Sequence, residues 1–127
     1  MHILVLAHPG HTKGSCSFLF TVKDSARSYR VAIVNIPSIL SETQFPSMPT
    51  YPDVAKDYAY TLKSLKALHF DIWLASHASQ FDLEEKWKPG DGYHPQAFID
   101  QAGYDAILKD KQEQYNKKMA PHMSSTL

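Results

Sequence analysis

One of the seven histidines in this 127-residue chain sits where an imidazole can be aimed. His11 lies within His8-Pro9-Gly10-His11-Thr12-Lys13-Gly14-Ser15, directly after the apolar segment Ile3-Leu4-Val5-Leu6-Ala7. Gly10 and Gly14 let the backbone turn tightly on both sides of the ring, which a Cβ would resist. Imidazole nitrogen is a preferred zinc donor, and loops at the carboxyl ends of strands are where open α/β sheets place their sites. A second strand-terminal histidine follows, since Asp71-Ile72-Trp73-Leu74-Ala75 runs into Ser76-His77. On position alone, His11 and His77 each read either as a metal ligand or as a histidine that caps a strand by hydrogen bonding.

The remaining polar candidates carry weaker signals. His8 reads as a turn histidine, because Pro9 and Gly10 break any helix that would align its ring with His11. His2 opens a strand, His69 ends a helix, His94 precedes Pro95 and His122 lies in the tail; each reads as structural or solvent-facing. Lys13, Ser38 and Ser41 carry groups able to bind an anion, though each alone is ordinarily a solvated side chain. Cys16, the single cysteine, reads as a small buried hydrophobe. A nucleophilic role would need an adjacent base and an electropositive pocket, and neither is legible. Trp73 belongs to a core strand. Trp87, between Lys86 and Lys88, either lines a cleft or covers the fold.

These residues need elements to hold them. Residues 2 to 7 form a short, continuously apolar run closed by a Pro-Gly turn, which predicts a buried strand. Ser17 to Val22 alternates, with Phe18, Phe20 and Val22 on one face, as a half-buried strand does. Lys23 to Ser28 reads as the hairpin connection and Tyr29 to Val34 as the returning strand. Residues 37 to 52 hold Pro37, Pro46, Pro49 and Pro52 among Ser and Thr, an irregular loop too long for a mere connector. A helix then opens at Pro52, a residue suited to the first helical position. Its inner face is Val54, Tyr58, Leu62, Leu65 and His69. Asp71 to Ala75 is a second core strand, 82 to 95 a polar loop, and Ala102 to Lys118 a final helix facing inward through Tyr104, Ile107, Leu108, Lys111 and Tyr115. The tail 120–127 lacks periodicity and is expected to fray.

Bulk properties exclude several functions. Thirteen basic residues balance thirteen acidic ones, so the basic excess of a nucleic-acid binder is absent. No apolar run approaches the roughly 18 residues that span a bilayer. No basic region followed by an apolar one opens the chain, so no export signal is expected in it. The apolar content of 43% suffices for a core.

Pro9-Gly10-His11-Thr12-Lys13-Gly14-Ser15 resembles the P-G-H-T-x-G-S signature of the metallo-β-lactamase superfamily. Tyr51 to Tyr58, Leu65 to Leu68, Asp71 to Ala78, Phe81 to Lys86 and Phe98 to Tyr104 are similar to the C-terminal half of subclass B3 metallo-β-lactamases. The resemblance covers residues 1 to about 118. It implies an α/β fold, namely the C-terminal half of an αββα sandwich, with residues 1–119 as a partial domain. It also implies two zinc ions in a groove at the sheet edges, with His11 completing the three-histidine site and His77 belonging to the second. Ser38 matches a serine that contacts the substrate carboxylate. The implied activity is hydrolysis of the β-lactam amide by a metal-bound hydroxide, with a β-lactam antibiotic as partner, no nucleic acid and no membrane. Family members are usually periplasmic or secreted.

Two departures stand out. Phe70 and Gly103 occupy positions where such enzymes often carry disulfide cysteines. The family's H-x-H-x-D-H motif, which supplies most of the ligands, has no counterpart here. The chain by itself is therefore expected to be inactive, to hold no zinc, and to expose sheet surface that the missing half would cover. Alternatives are another hydrolase of the superfamily, such as a lactonase or thioesterase, or a non-catalytic remnant of the fold.

Overall fold

The alternating segment after the histidine turn folds as the middle of a four-stranded sheet. In the computed structural model, which describes residues 1–124 and side chains through Ala120, strand β1 is Ile3–Ala7, β2 Cys16–Lys23, β3 Ser28–Val34 and β4 Ile72–Ala75. The sheet order is β1-β2-β3-β4. The first two pairings are antiparallel, with Val5 opposite Phe18 and Phe18 opposite Ile33; β3 and β4 run parallel, with Val34 beside Ala75. The β2–β3 turn is closed by Asp24, whose carboxylate accepts from the backbone N–H groups of Ala26 and Arg27 at 2.8 and 2.9 Å.

Two long helices cover one face. Helix α1 is Val54–Lys66, α2 Leu83–Lys86 and α3 Gln101–Ser124. Leu19, Ala32, Val34 and Trp73 point from the sheet onto Leu65 of α1 and Tyr104 and Leu108 of α3. Because side chains alternate across a strand, Phe18, Phe20, Val22, Val31 and Ile72 lie on the opposite face, which is only partly covered, by Phe98 among others.

Several expectations need correction. The segment 2–7 forms a strand but is not buried: Ile3, Leu4 and Val5 are 55%, 54% and 59% exposed, because β1 is an edge strand held among the described residues mainly by β2. The alternation of β2 holds, but its deeper side is Ser17 and Leu19, and Phe18 is exposed. Pro52 precedes helix α1, whose N-cap is Asp53, and His69 lies beyond its end and is exposed. Within 82–95, Leu83–Lys86 forms a short helix. Helix α3 passes Lys118 and takes in the start of the 120–127 tail. Lys117, Lys118, Met119 and Ala120 are good helix formers, and Tyr115 and Met119 pack against the cluster of Phe45, Tyr51 and Tyr58. The fraying expected of 125–127, and the placing of the His122 side chain, lie outside the described residues.

The two cysteine-matching positions are occupied to another purpose. Phe70 meets Tyr104 edge-on at 4.7 Å between ring centroids. The Gly103 N–H donates to Asp100 Oδ1 at 3.0 Å, and a Cβ at residue 103 would collide with that same carboxylate. Lys86 Nζ fixes the carboxylate from the other side at 3.1 Å.

Candidate metal centre at the sheet edge

Strand direction brings the candidate residues to one end of the sheet. Ala7 ends β1 opposite Cys16 at the start of β2, and Val34 and Ala75 end β3 and β4 side by side. The Asn35 N–H donates to Ser17 Oγ at 2.9 Å, tying the end of β3 to the start of β2. The His11 turn, the loop carrying Ser38, and His77 therefore all leave the sheet at the same end. Two strand spacings separate β2 from β4, about 10 Å.

The turn is built from its neck outward. The His8 N–H donates to Ser15 O at 2.9 Å, the Gly10 N–H to Thr12 O at 3.0 Å, and the Thr12 and Ser15 hydroxyls lie 2.8 Å apart. Gly10 has φ +145°, and a Cβ there would stand 3.2 Å from the Tyr58 ring, so both conformation and space select glycine.

His8 is not an open turn residue. It is 1% exposed, with Nδ1 2.6 Å from Ser17 Oγ and Nε2 2.9 Å from Ser64 Oγ. A neutral ring donates one proton and accepts one, and two hydroxyls satisfy either tautomer. Burial lowers its pKa from the ordinary 6.5. The unfolded chain therefore binds a proton as pH falls through 6.5 while folded His8 does not, so the His8 contribution to stability is complete above 6.5 and shrinks below it. Urea midpoints compared at about pH 8 and about pH 5 are expected to fall more in the wild type than in His8→Gln. Equal falls would show that His8 does not carry the acid sensitivity.

His11 is exposed, and its Nδ1 lies 3.1 Å from Ser38 O. A carbonyl only accepts, so Nδ1 carries the proton and Nε2 keeps its lone pair. This is the arrangement of a ligating histidine oriented by a partner behind it. Ser38 thus acts on His11 through its backbone. The same carbonyl accepts the Tyr58 hydroxyl at 2.7 Å. His77 is exposed and precedes the 3₁₀ turn Ala78–Phe81, where its side chain makes no capping bond. A groove of about 610 Å³ opens beside the turn and is lined by His11, Lys13, Glu42, Met48 and Tyr51 among others. Lys13 lies 5.4 Å from the Tyr51 ring centroid. Ser41 turns to Glu42, so it does not join Lys13 in an anion site. Cys16 is half-buried; Trp87 is 43% exposed.

Imidazole chemistry at His11 suits zinc, but the set is incomplete. A catalytic zinc takes three protein ligands and an open position, and the described residues contain no group of three His, Cys, Asp or Glu side chains able to hold a metal. Sequence reading missed Tyr58, Thr61 and Ser64. Tyr58 appeared only as an apolar-face residue; its spacing of three from Thr61, and that of Thr61 from Ser64, was the available signal of successive neighbours on the helix surface.

The chain is similar to solved metallo-β-lactamases. It is 57% identical to a β-lactamase from Chitinophaga pinensis, with a TM-score of 0.92 over 93% of this chain and 44% of that one. It is also 57% identical to a class B3 di-zinc metallo-β-lactamase from an Alaskan soil metagenome, with a TM-score of 0.88 over 91% of this chain and 44% of that one. A metallo-β-lactamase from Elizabethkingia meningoseptica is 51% identical, with a TM-score of 0.90 over 94% of this chain and 44% of that one. The chain thus spans less than half the length of the structures it matches. No protein-family model and no curated protein matches it.

Proposed function

On the premise that this chain is one part of a subclass B3 metallo-β-lactamase fold, we propose that it contributes His11 to one zinc site and His77 to a second. The complete domain would hydrolyse the amide bond of β-lactam antibiotics, outside the cytoplasm, with no nucleic acid or membrane as partner. No helix among the described residues is long and apolar enough to cross a membrane. The observation that carries the reading is the Nδ1 contact of His11 with Ser38 O, which leaves the Nε2 lone pair available at that end of the sheet. Held by His11 and ligands from the rest of the domain, a zinc ion would lower the pKa of water toward neutrality. The residues of this chain hold the imidazole in its donor tautomer, close the turn behind it, and offer the half-buried Ser38 side chain to a substrate carboxylate. The other ligands come from outside the described residues.

The 127-residue chain alone is expected to give no zinc-dependent hydrolysis of a chromogenic cephalosporin. Mixed with a polypeptide corresponding to the unmatched part of the Chitinophaga pinensis enzyme, it is expected to hydrolyse the substrate. His11→Ala should reduce that activity by more than the roughly 100-fold that loss of an outer-shell partner costs. Hydrolysis by the chain alone would overturn the shared-site reading. A reassembled, zinc-loaded domain that opens lactones or thioesters but spares the cephalosporin would move the function to another hydrolase of this fold; one that does neither would favour the remnant.

A further inference from the structure

Three polar side chains of α1 reach the two loops that meet at His11. Tyr58 OH donates to Ser38 O at 2.7 Å, Thr61 Oγ1 donates to Pro9 O, and Ser64 Oγ lies 2.9 Å from His8 Nε2. They are spaced i, i+3, i+6, so each neighbours the next along a strip that winds around the helix surface. Tyr58 and Thr61 are 1% and 0% exposed. Such polar groups are costly to bury unless paired, and each pairs with a loop atom rather than with its own helix. The turn is held at its neck by Ser64 and Thr61, and the far loop by Tyr58.

We propose that Tyr58 is a positioning residue for His11, acting through the Ser38 carbonyl that both side chains share. One acceptor with two lone pairs receives Tyr58 OH on one side and His11 Nδ1–H on the other. The buried phenol therefore fixes the carbonyl, and the carbonyl fixes which imidazole nitrogen is protonated. Burial pushes the Tyr58 phenol up to about 12, so it stays protonated and donating at neutral pH. Gly10, pressed against the Tyr58 ring, brings the turn to the same post. Neither the protonated nitrogen of His11 nor its holder requires zinc to be present. The Tyr58 contact rests on the zinc-site reading above only for its purpose.

The test is nitrogen-15 NMR of the histidine rings in the full chain, where the two tautomers have distinct nitrogen shifts. Wild-type His11 in its neutral form is expected to show Nδ1–H and an unprotonated Nε2. Tyr58→Phe, which keeps the ring packing, is expected to shift His11 toward the mixed tautomers of free imidazole, with the amide spectrum of β2 and β3 retained. Ser38→Ala removes only the hydroxyl and is expected to leave the tautomer unchanged. Free-imidazole shifts in the wild type, or wild-type shifts in Tyr58→Phe, would overturn the proposal; so would loss of the Nδ1–H tautomer in Ser38→Ala. A failed cephalosporin assay in the reassembled domain would defeat the functional reading while leaving this result intact.

Discussion

Trp73→Ala is expected to leave the chain without a cooperative unfolding transition. Trp73 is 1% exposed at the centre of the core. Its ring lies 5.3 Å from Tyr104 and 6.1 Å from Phe81, and Lys86 Nζ stands 4.6 Å from its centroid. The indole N–H donates to Asp100 O at 2.8 Å, just before α3. Removing the side chain costs about 3–5 kcal/mol in packing and cavity, and the orphaned carbonyl adds about 1 kcal/mol or more. A whole domain holds about 5–15 kcal/mol, and this one leaves part of its sheet uncovered, so the loss consumes most of the margin. Trp73→Phe keeps an aromatic ring and should cost only about 1–2 kcal/mol. Far-UV circular dichroism during urea titration checks both, and a sigmoidal transition in Trp73→Ala near the wild-type midpoint would refute the assignment of Trp73 as the central packing residue. The consequence reaches the site, because β4 carries Trp73 and ends two residues before His77.

Where side-chain period and turn chemistry act locally, the sequence is legible. Phe18, Phe20 and Val22 alternate as a strand, Val54 to Leu65 repeat as a helix, and Gly10 marks a conformation only glycine accepts readily. Positions such as Ile3 to Val5 are not legible in this way. Their run of apolar residues announces burial, but burial depends on what packs against them, and the described residues supply nothing. His8 was hidden for the opposite reason. Its short-range neighbours, Pro9 and Gly10, describe a turn, whereas its environment is set by Ser64, 56 residues away. Separation in sequence also concealed the link from Tyr58 to His11 through Ser38, which lies 20 and 27 residues from them. Motif spacing found the ligand candidates; it could not find the groups that hold them.

The uncovered sheet face carries the other large expected effect. Val5 and Phe18 stand opposite one another in the β1–β2 register, 59% and 37% exposed, beside Ile3 at 55%. β1 has one neighbour only, and its five residues contain no charge. An uncharged apolar edge with an uncovered face favours association. More than half of each of the two metallo-β-lactamases compared above lies outside the region this chain covers, so the same surface is available to the rest of such a domain. In gel filtration with light scattering, the wild-type chain is expected to elute as soluble oligomers at micromolar concentration. The double variant Val5→Lys with Phe18→Glu places opposite charges across the register, where they attract rather than repel, and should run as a monomer with unchanged far-UV dichroism. It should also fail to reassemble with the complementary polypeptide, since a buried ion pair replaces two apolar side chains in the joint. A monomeric wild type, or a double variant that reassembles as well as the wild type, would place the contact surface elsewhere and detach the exposed face from the completion of the proposed zinc site.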